Sequence, residues 1–313
     1  MRDIAIIIEN LTRDFGPIRA LDNLSLEVPR GTIFGFLGPN GAGKTTTINI
    51  LLGLLEPTSG SVKVMNLDTR GHSADIRSLS GALLEHHGLY EQLSAEDNLE
   101  FYGRVWRMND HERRARIEEL LTNIDLWERR KEKVVQWSRG MKQKLALARV
   151  VMHRPELVIL DEPTAGLDVV SANSIQNDLA GLSRDSGTTI FMATHNMSEA
   201  ERLCNIVAVI RHGKLLAIGD PKELKMRSNR AQGAQVEIIG HGFSNELVAS
   251  ITNKHKVGII EQSEQKLVLH LTGKVDTASV VSMLVAGGAQ IEEVNKEKAS
   301  LEDVFLSLVQ EAK

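Results

Sequence analysis

Residues 38–45 read Gly-Pro-Asn-Gly-Ala-Gly-Lys-Thr, after an apolar run that ends at Leu37 and before the helical pattern from Thr46 to Leu55. The spacing G-x-x-x-x-G-K-[ST] between a strand and a helix is an arrangement that wraps phosphate. Glycines let the backbone curl and point amide N–H groups inward. The helix that follows adds the positive end of its dipole. Gly38, Pro39, Asn40, Gly41, Ala42, Gly43, Lys44, Thr45 and Thr46 are therefore the expected phosphate contacts. Lys44 is placed to reach the β- and γ-phosphates of a nucleoside triphosphate, and the Thr45 hydroxyl to ligate Mg2+. Such a loop needs an open α/β sheet, with the loop at the carboxyl end of a strand.

The rest of the chain supplies that sheet. Apolar runs over 4–8, 32–37, 157–160, 189–193 and 206–210 predict strands. The last four are hydrophobic enough to be buried on both faces of a mostly parallel sheet. The run at 157–160 ends in Asp161-Glu162, two carboxylates at the sheet edge that also carries the phosphate loop. Asp161 is placed to hold Mg2+, and Glu162 to polarise an attacking water. His195 follows the run at 189–193, where its ring can reach the γ-phosphate. Trp137-Ser138-Arg139-Gly140-Met141-Lys142-Gln143-Lys144 opens another helical run. It has the parts of an anion site and equally those of a plain helix cap.

Around this centre, residues 94–153 change character. Ser94 precedes an acidic first turn, and 110–133 reads as a charged helix with a solvated face, so this block is expected to be a helical insertion. Gly219-Asp220-Pro221 closes a domain over 1–219, and 220–234 reads as a polar linker. Residues 235–313 alternate strand, helix, strand, strand, helix, strand, helix, which predicts a small split-βαβ domain. A length of 313 residues agrees with two domains. Net charge −4 and 4% aromatics argue against nucleic acid as a partner. The one cysteine, Cys204, permits neither an intrachain disulfide nor a thiolate zinc site; it fits a reducing cytoplasm and reads as a small core residue. No 18 apolar residues run together. His86 and His87 read as a surface pair.

Four segments, GPNGAGKTT, SRGMKQKLALAR, LVILDEPTAGLD and ATHN, occur in that order. Together they resemble the ATP-binding subunits of ABC transporters over about residues 1–219. The signature SxGMKQ and the tail Ser300-Leu301-Glu302-Asp303-Val304-Phe305 resemble the branch paired with ABC-2-type permeases, drug and antibiotic exporters among them. The resemblance implies an α/β P-loop NTPase domain with a helical insertion and a small C-terminal α+β domain. It implies ATP and Mg2+ as ligands and hydrolysis that energises export. Phe15, in Arg13-Asp14-Phe15-Gly16, then matches the ring that stacks on adenine, although a lone Phe after a strand also reads as core. Ser138, Arg139, Gly140 and Met141 match the signature that meets ATP bound to a second chain, and Asp168 matches the aspartate linking the two sites. Arg139 and Met141 stand where Gly and Gln are commoner. Glu85 stands where a glutamine usually meets Mg2+ and the water.

The same resemblance implies a place on the cytoplasmic face of the cell membrane, reached through the permease, and an ATP-dependent dimer with a second copy or a close paralogue. The helix that starts at Ser138 carries the signature away from its own phosphate loop, so two chains set head to tail complete both sites. The alternative is an ATP-switched regulator without a permease. Leu89, Tyr90 and Leu93 lack periodicity and read either as a surface for the permease or as packing inside the insertion. The C-terminal domain reads as structural or as a sensor of permease or cargo.

Overall fold

The computed structural model describes residues 3–232, 234–255, 257–271, 277–296 and 300–311. The chain divides into two compact units, Met1–Gly219 and Asp220–Lys313.

The first unit opens with β1 (Ile4–Phe15), β2 (Ile18–Pro29), β3 (Ile33–Leu37), α1 (Lys44–Leu51), β4 (Ser59–Val64) and β5 (Leu67–Asp68). It continues with α2 (Ser73–Leu79), β6 (Ser80–Leu83), α3 (Ala95–Val105), α4 (Asp110–Asn123), α5 (Arg139–Val150) and β7 (Leu157–Asp161). α6 (Val169–Ser186), β8 (Thr189–Thr194), α7 (Met197–Leu203), β9 (Ile206–Arg211) and β10 (Lys214–Gly219) complete it. Six strands form one sheet in the order β10-β9-β3-β8-β7-β6. Its pairings are parallel from β9 to β6, with β10 antiparallel at the edge. Every residue of β3 and β8 is buried, as strands covered on both faces require. Phe34, Phe36 and Phe191 stack across neighbouring strands, with ring centroids 5.3–5.7 Å apart.

The run expected as a strand at 4–8 extends to Phe15 and belongs to a different sheet. That sheet is antiparallel, in the order β2-β1-β4-β5. Half-buried alternation in β1 marks it as a one-sided strand. Its inward residues Ile6 and Ile8 share one core with Ile48, Ile50 and Leu51 of α1 and with Phe34 and Phe36 of β3. This packing holds α1, and hence the loop before it, between two sheets.

Helices α3, α4 and α5 have a separate core that includes Leu99, Ile117, Leu121, Trp137, Leu145 and Met152. The charged helix expected over 110–133 stops at Asn123. Asp125 takes a left-handed φ of 60°, and the Leu126 amide donates back to Leu121 O at 2.8 Å, a helix-ending arrangement. Single 3-10 turns follow at Trp127–Arg129 and Val134–Gln136.

In the second unit the stretch expected as a linker is instead a helix, α8 (Pro221–Gln232). Asp220 starts it: its side chain accepts from the Lys222 amide at 2.7 Å and its carbonyl from the Leu224 amide at 3.0 Å. Proline suits the first helical position, and Lys, Glu, Leu and Met that follow are good helix formers. Then come β11 (Ala234–His241), α9 (Asn245–His255), β12 (Gly258–Gln262), β13 (Lys266–Leu271), α10 (Thr277–Ala286), β14 (Gln290–Lys296) and α11 (Leu301–Glu311). The strands pair antiparallel in the order β12-β13-β11-β14, the split-βαβ arrangement. Val236, Ile238, Val248, Leu267, Leu269 and Val280 form its core, and α11 packs on α8.

Candidate active site

The loop between β3 and α1 wraps a cleft of about 410 Å³ lined by Asn40, Gly43, Lys44, Thr45, Thr46, Glu85, Asp161 and Glu162, among others. Gly43 is required by geometry. Its φ is +106°, and a Cβ there would lie 2.7 Å from Leu21 Cδ2 and 2.8 Å from Ala20 O. Helix α1 starts at the next residue without a side-chain cap or an acidic first turn, so its terminal amides and dipole favour an anion. Ala42 is buried under the loop and Gly41 takes a left-handed φ of 79°.

Lys44 is 6% exposed. Its ammonium donates to Gly38 O at 2.8 Å and Pro39 O at 3.3 Å and lies 3.3 Å from Glu162 Oε1. Thr45 Oγ1 donates to Asp161 Oδ2 at 2.9 Å. Burial, then the neighbouring carboxylates of Glu162 and Glu85, hold the Asp161 carboxyl above its ordinary range against the Thr45 hydrogen bond and Lys44. Three carboxylates thus face a cleft that contains one buried ammonium. A cation beside Asp161 would relieve that excess of negative charge.

Glu162 leaves β7 with a left-handed φ of 52°, an unfavourable backbone for a non-glycine residue and one that clusters at functional sites. Its amide is anchored on Ala193 O at 2.9 Å. Its Oε1 lies 2.8 Å from His195 Nδ1, and its Oε2 accepts from Thr194 Oγ1 at 3.4 Å. The carboxylate is therefore gripped by the end of β8 on one side and Lys44 on the other, while the His195 ring stays 57% exposed.

The signature residues form a second cluster that does not line the cleft. Ser138 caps α5, accepting from the Met141 amide at 3.3 Å. Gly140 faces Ser171 so closely that a Cβ would lie 2.6 Å from its hydroxyl. Asp168 caps α6 through the Ser171 amide at 2.9 Å and hydroxyl at 2.7 Å, and these bonds hold its carboxyl below the usual range. The Arg139 guanidinium lies against Gly166 in the loop before Asp168. The Met141 side chain packs on the helical core and its sulfur accepts from Arg129 at 3.4 Å.

Phe15 lies outside the cleft lining, at the tip of the β1–β2 hairpin, and is not a core residue: it is 44% exposed with the Arg13 guanidinium 4.6 Å over its ring. His87 departs from the surface-pair reading. It is half-buried, and burial, then Arg139 and Lys142, push its pKa down. Leu89 packs on the helical core, whereas Tyr90 stays exposed and sits edge-on to Phe101 at 4.9 Å. Cys204 is buried, and desolvation pushes its thiol up. Sequence reasoning missed Gln143, which donates to Pro163 O at 2.5 Å, and Glu199, hydrogen-bonded to both Thr164 and Thr194. No spacing rule marks either, because their partners are distant in sequence.

The family described as ABC transporter matches residues 21–165. The chain is 33% identical over 310 residues to the daunorubicin resistance ATP-binding protein DrrA3 of Streptomyces coeruleorubidus, covering 98% of this chain and 96% of that protein. It is 32% identical over 300 residues to the bacitracin transport ATP-binding protein BcrA of Bacillus licheniformis, covering 96% and 95%. Among solved structures, the dimeric post-hydrolysis state of the ATP-binding cassette MJ0796 bound to ADP and Pi superposes with a TM-score of 0.61 at 27% identity, over 69% of this chain and 98% of that one. With the phosphate loop, the paired carboxylates and the histidine assembled around one cleft, these similarities mean that the chain belongs to the ATP-binding subunits of ABC transporters.

Proposed function

We propose that this chain hydrolyses ATP in the Lys44–Glu162 cleft and thereby energises export, of the drug or antibiotic class, through a separate ABC-2-type permease. One observation carries the chemistry: Glu162 is held between His195 at 2.8 Å and Lys44 at 3.3 Å, at the mouth of the phosphate loop. The names of the relatives support the transport class. No described helix is long and apolar enough to cross a membrane, which agrees with a membrane role exercised through a partner.

The residues suit the chemistry in distinct ways. The loop amides and Lys44 neutralise phosphate charge, with the γ-phosphoryl as a competing acceptor for the ammonium now shared by Gly38, Pro39 and Glu162. Glu162 accepts the proton of the attacking water, and His195 orients the γ-phosphate end. Asp161, Thr45 and Glu85 fit Mg2+. The described residues contain no cluster of three His, Cys, Asp or Glu able to hold a metal unaided, and Mg2+ is usually bound by one or two carboxylates together with substrate phosphates. When bound, the ion supplies further charge neutralisation on the phosphates.

Ser138, Gly140 and Asp168 lie together but outside the cleft lining, which supports a composite site in which each signature covers the other chain's ATP, with Phe15 backing the adenine. The MJ0796 cassette is itself dimeric. Glu162→Gln is expected to bind ATP yet hydrolyse it at least about a hundredfold more slowly, and to elute as a dimer with ATP and Mg2+; Lys44→Ala is expected to lose binding. Parental turnover in Glu162→Gln would remove Glu162 from this role, and a monomer with a full rate per chain at extreme dilution would remove the composite site.

A further inference from the structure

Among the described residues Glu199 is the only buried acid, with 2% exposure. It sits in the first turn of α7, its own amide held by the Asn196 cap at 3.1 Å. Its Oε1 accepts from Thr164 Oγ1 at 2.7 Å and from Gln176 Nε2 at 3.5 Å, and its Oε2 from Thr194 Oγ1 at 3.1 Å. These partners belong to three separate segments. Thr164 is two residues beyond Glu162, Thr194 directly precedes His195, and Gln176 lies on α6, the helix that Asp168 caps.

The Thr194 hydroxyl has one proton and two carboxylate neighbours, Glu199 at 3.1 Å and Glu162 at 3.4 Å. The proton is shared between them, more strongly with Glu199 at the shorter distance, while the Asn196 amide donates to the hydroxyl oxygen at 3.0 Å. One hydroxyl thereby links the Glu199 carboxylate to that of Glu162. Among the described residues no cation pairs with Glu199. Arg202, the nearest on α7, is spent on Gln176 and Asn173. Lys44 and His195 are engaged with Glu162. Glu162 itself and Cys204 are the other titratable groups that feel the charge. Burying an unpaired carboxylate is expensive, and apolar packing would hold α7 at lower cost. What the carboxylate provides is two acceptor oxygens that join the loop after Glu162 to the strand end before His195.

We propose that Glu199 is a positioning residue for ATP hydrolysis, clamping Thr164 and Thr194 so that Glu162 and His195 keep their working geometry. This rests on the reading that Glu162 acts on the attacking water. A glutamine at 199 keeps the shape but turns an amide N–H2 toward one of three donors.

The test is steady-state ATPase on the full chain, with ATP-binding stoichiometry measured alongside. Glu199→Gln should lower kcat by about ten- to a hundredfold, the scale on which small misplacements act, with KM within about twofold and one ATP bound per chain. Because Thr194→Val breaks the same clamp, the double variant should be no slower than the slower single one, whereas independent structural damage would multiply. A Glu199→Gln kcat within about twofold of the parent, or multiplicative losses, would overturn the proposal. Glu162→Gln is run in parallel: if it turns over normally, the reading of Glu162 fails, whatever Glu199 does. Should Glu199→Gln bind less than one ATP, Thr194→Ser and Thr194→Val decide. The serine keeps the donor and should be at least about fivefold faster, and equal rates would refute the clamp.

Discussion

His153 makes the fold of the first unit sensitive to acid. It follows α5, and its ring stacks on Trp106 with centroids 3.8 Å apart and planes 14° from parallel. Nε2 lies 3.2 Å from Ser80 O, whereas the buried Nδ1 has no partner. A second proton has nowhere to go. Burial pushes the pKa down to about 4, with Arg116 acting in the same sense and the Ser80 bond opposing. The unfolded imidazole titrates near 6.5, so between those values the unfolded chain binds the extra proton and the folded chain does not. The stability tied to the neutral ring is therefore complete above about pH 6.5 and is lost as pH falls toward 4. Full burial would make that loss about 2 kcal/mol at pH 5, and the half-exposed ring reduces it to about 1 kcal/mol. His153→Gln keeps a donor for Ser80 O but cannot titrate. Denaturant unfolding at about pH 7.5 and about pH 5, followed by tryptophan fluorescence, measures the difference. All three tryptophans, Trp106, Trp127 and Trp137, report on the helical part. The parent should lose about 1 kcal/mol more than the variant on acidification. Equal losses would refute the reasoning.

Other substitutions test the remaining parts. Gly43→Ala forces an L side chain into φ +106° and against Leu21 and Ala20; ATP affinity should fall at least about tenfold in a titration. Phe15→Ala removes an exposed ring, and stacking worth about 1–3 kcal/mol should appear as roughly tenfold weaker ATP binding with unchanged inorganic triphosphate binding. Asn98, fully buried, accepts from the Tyr90 amide at 2.8 Å and donates to the Tyr90 and Ser94 carbonyls at 3.0 and 2.8 Å. Asn98→Ala should destabilise the first unit by about 2–3 kcal/mol and speed amide exchange over residues 88–94.

Much of the fold could be read because it is written locally. The buried strands β3, β7, β8 and β9 are short apolar runs, and the split-βαβ unit shows in its order of periods. What escaped is what depends on a partner. β1 continues past Ile8 through polar residues because β2 and β4 supply its ladder on both sides. α8 looked like a linker because polar composition speaks of exposure, not of backbone conformation; the Asp220 cap and proline at the first position were the signal available.

The site divides along the same line. Lys44, Thr45, Asp161, Glu162 and His195 were legible because each sits at a strand end or helix start, where topology alone brings side chains to one edge. Glu199 and His153 were not, since a glutamate in a polar-looking helix or a histidine in the turn after one carries no mark of what faces it. In one case the fold surrounds the side chain with hydroxyl donors that oppose the upward push of burial on its pKa; in the other it stacks an indole on the ring and excludes a charge. The same burial therefore gives opposite uses to two titratable side chains: acceptor oxygens that tie loops around the reacting centre, and a neutral ring that can be packed as if it were apolar.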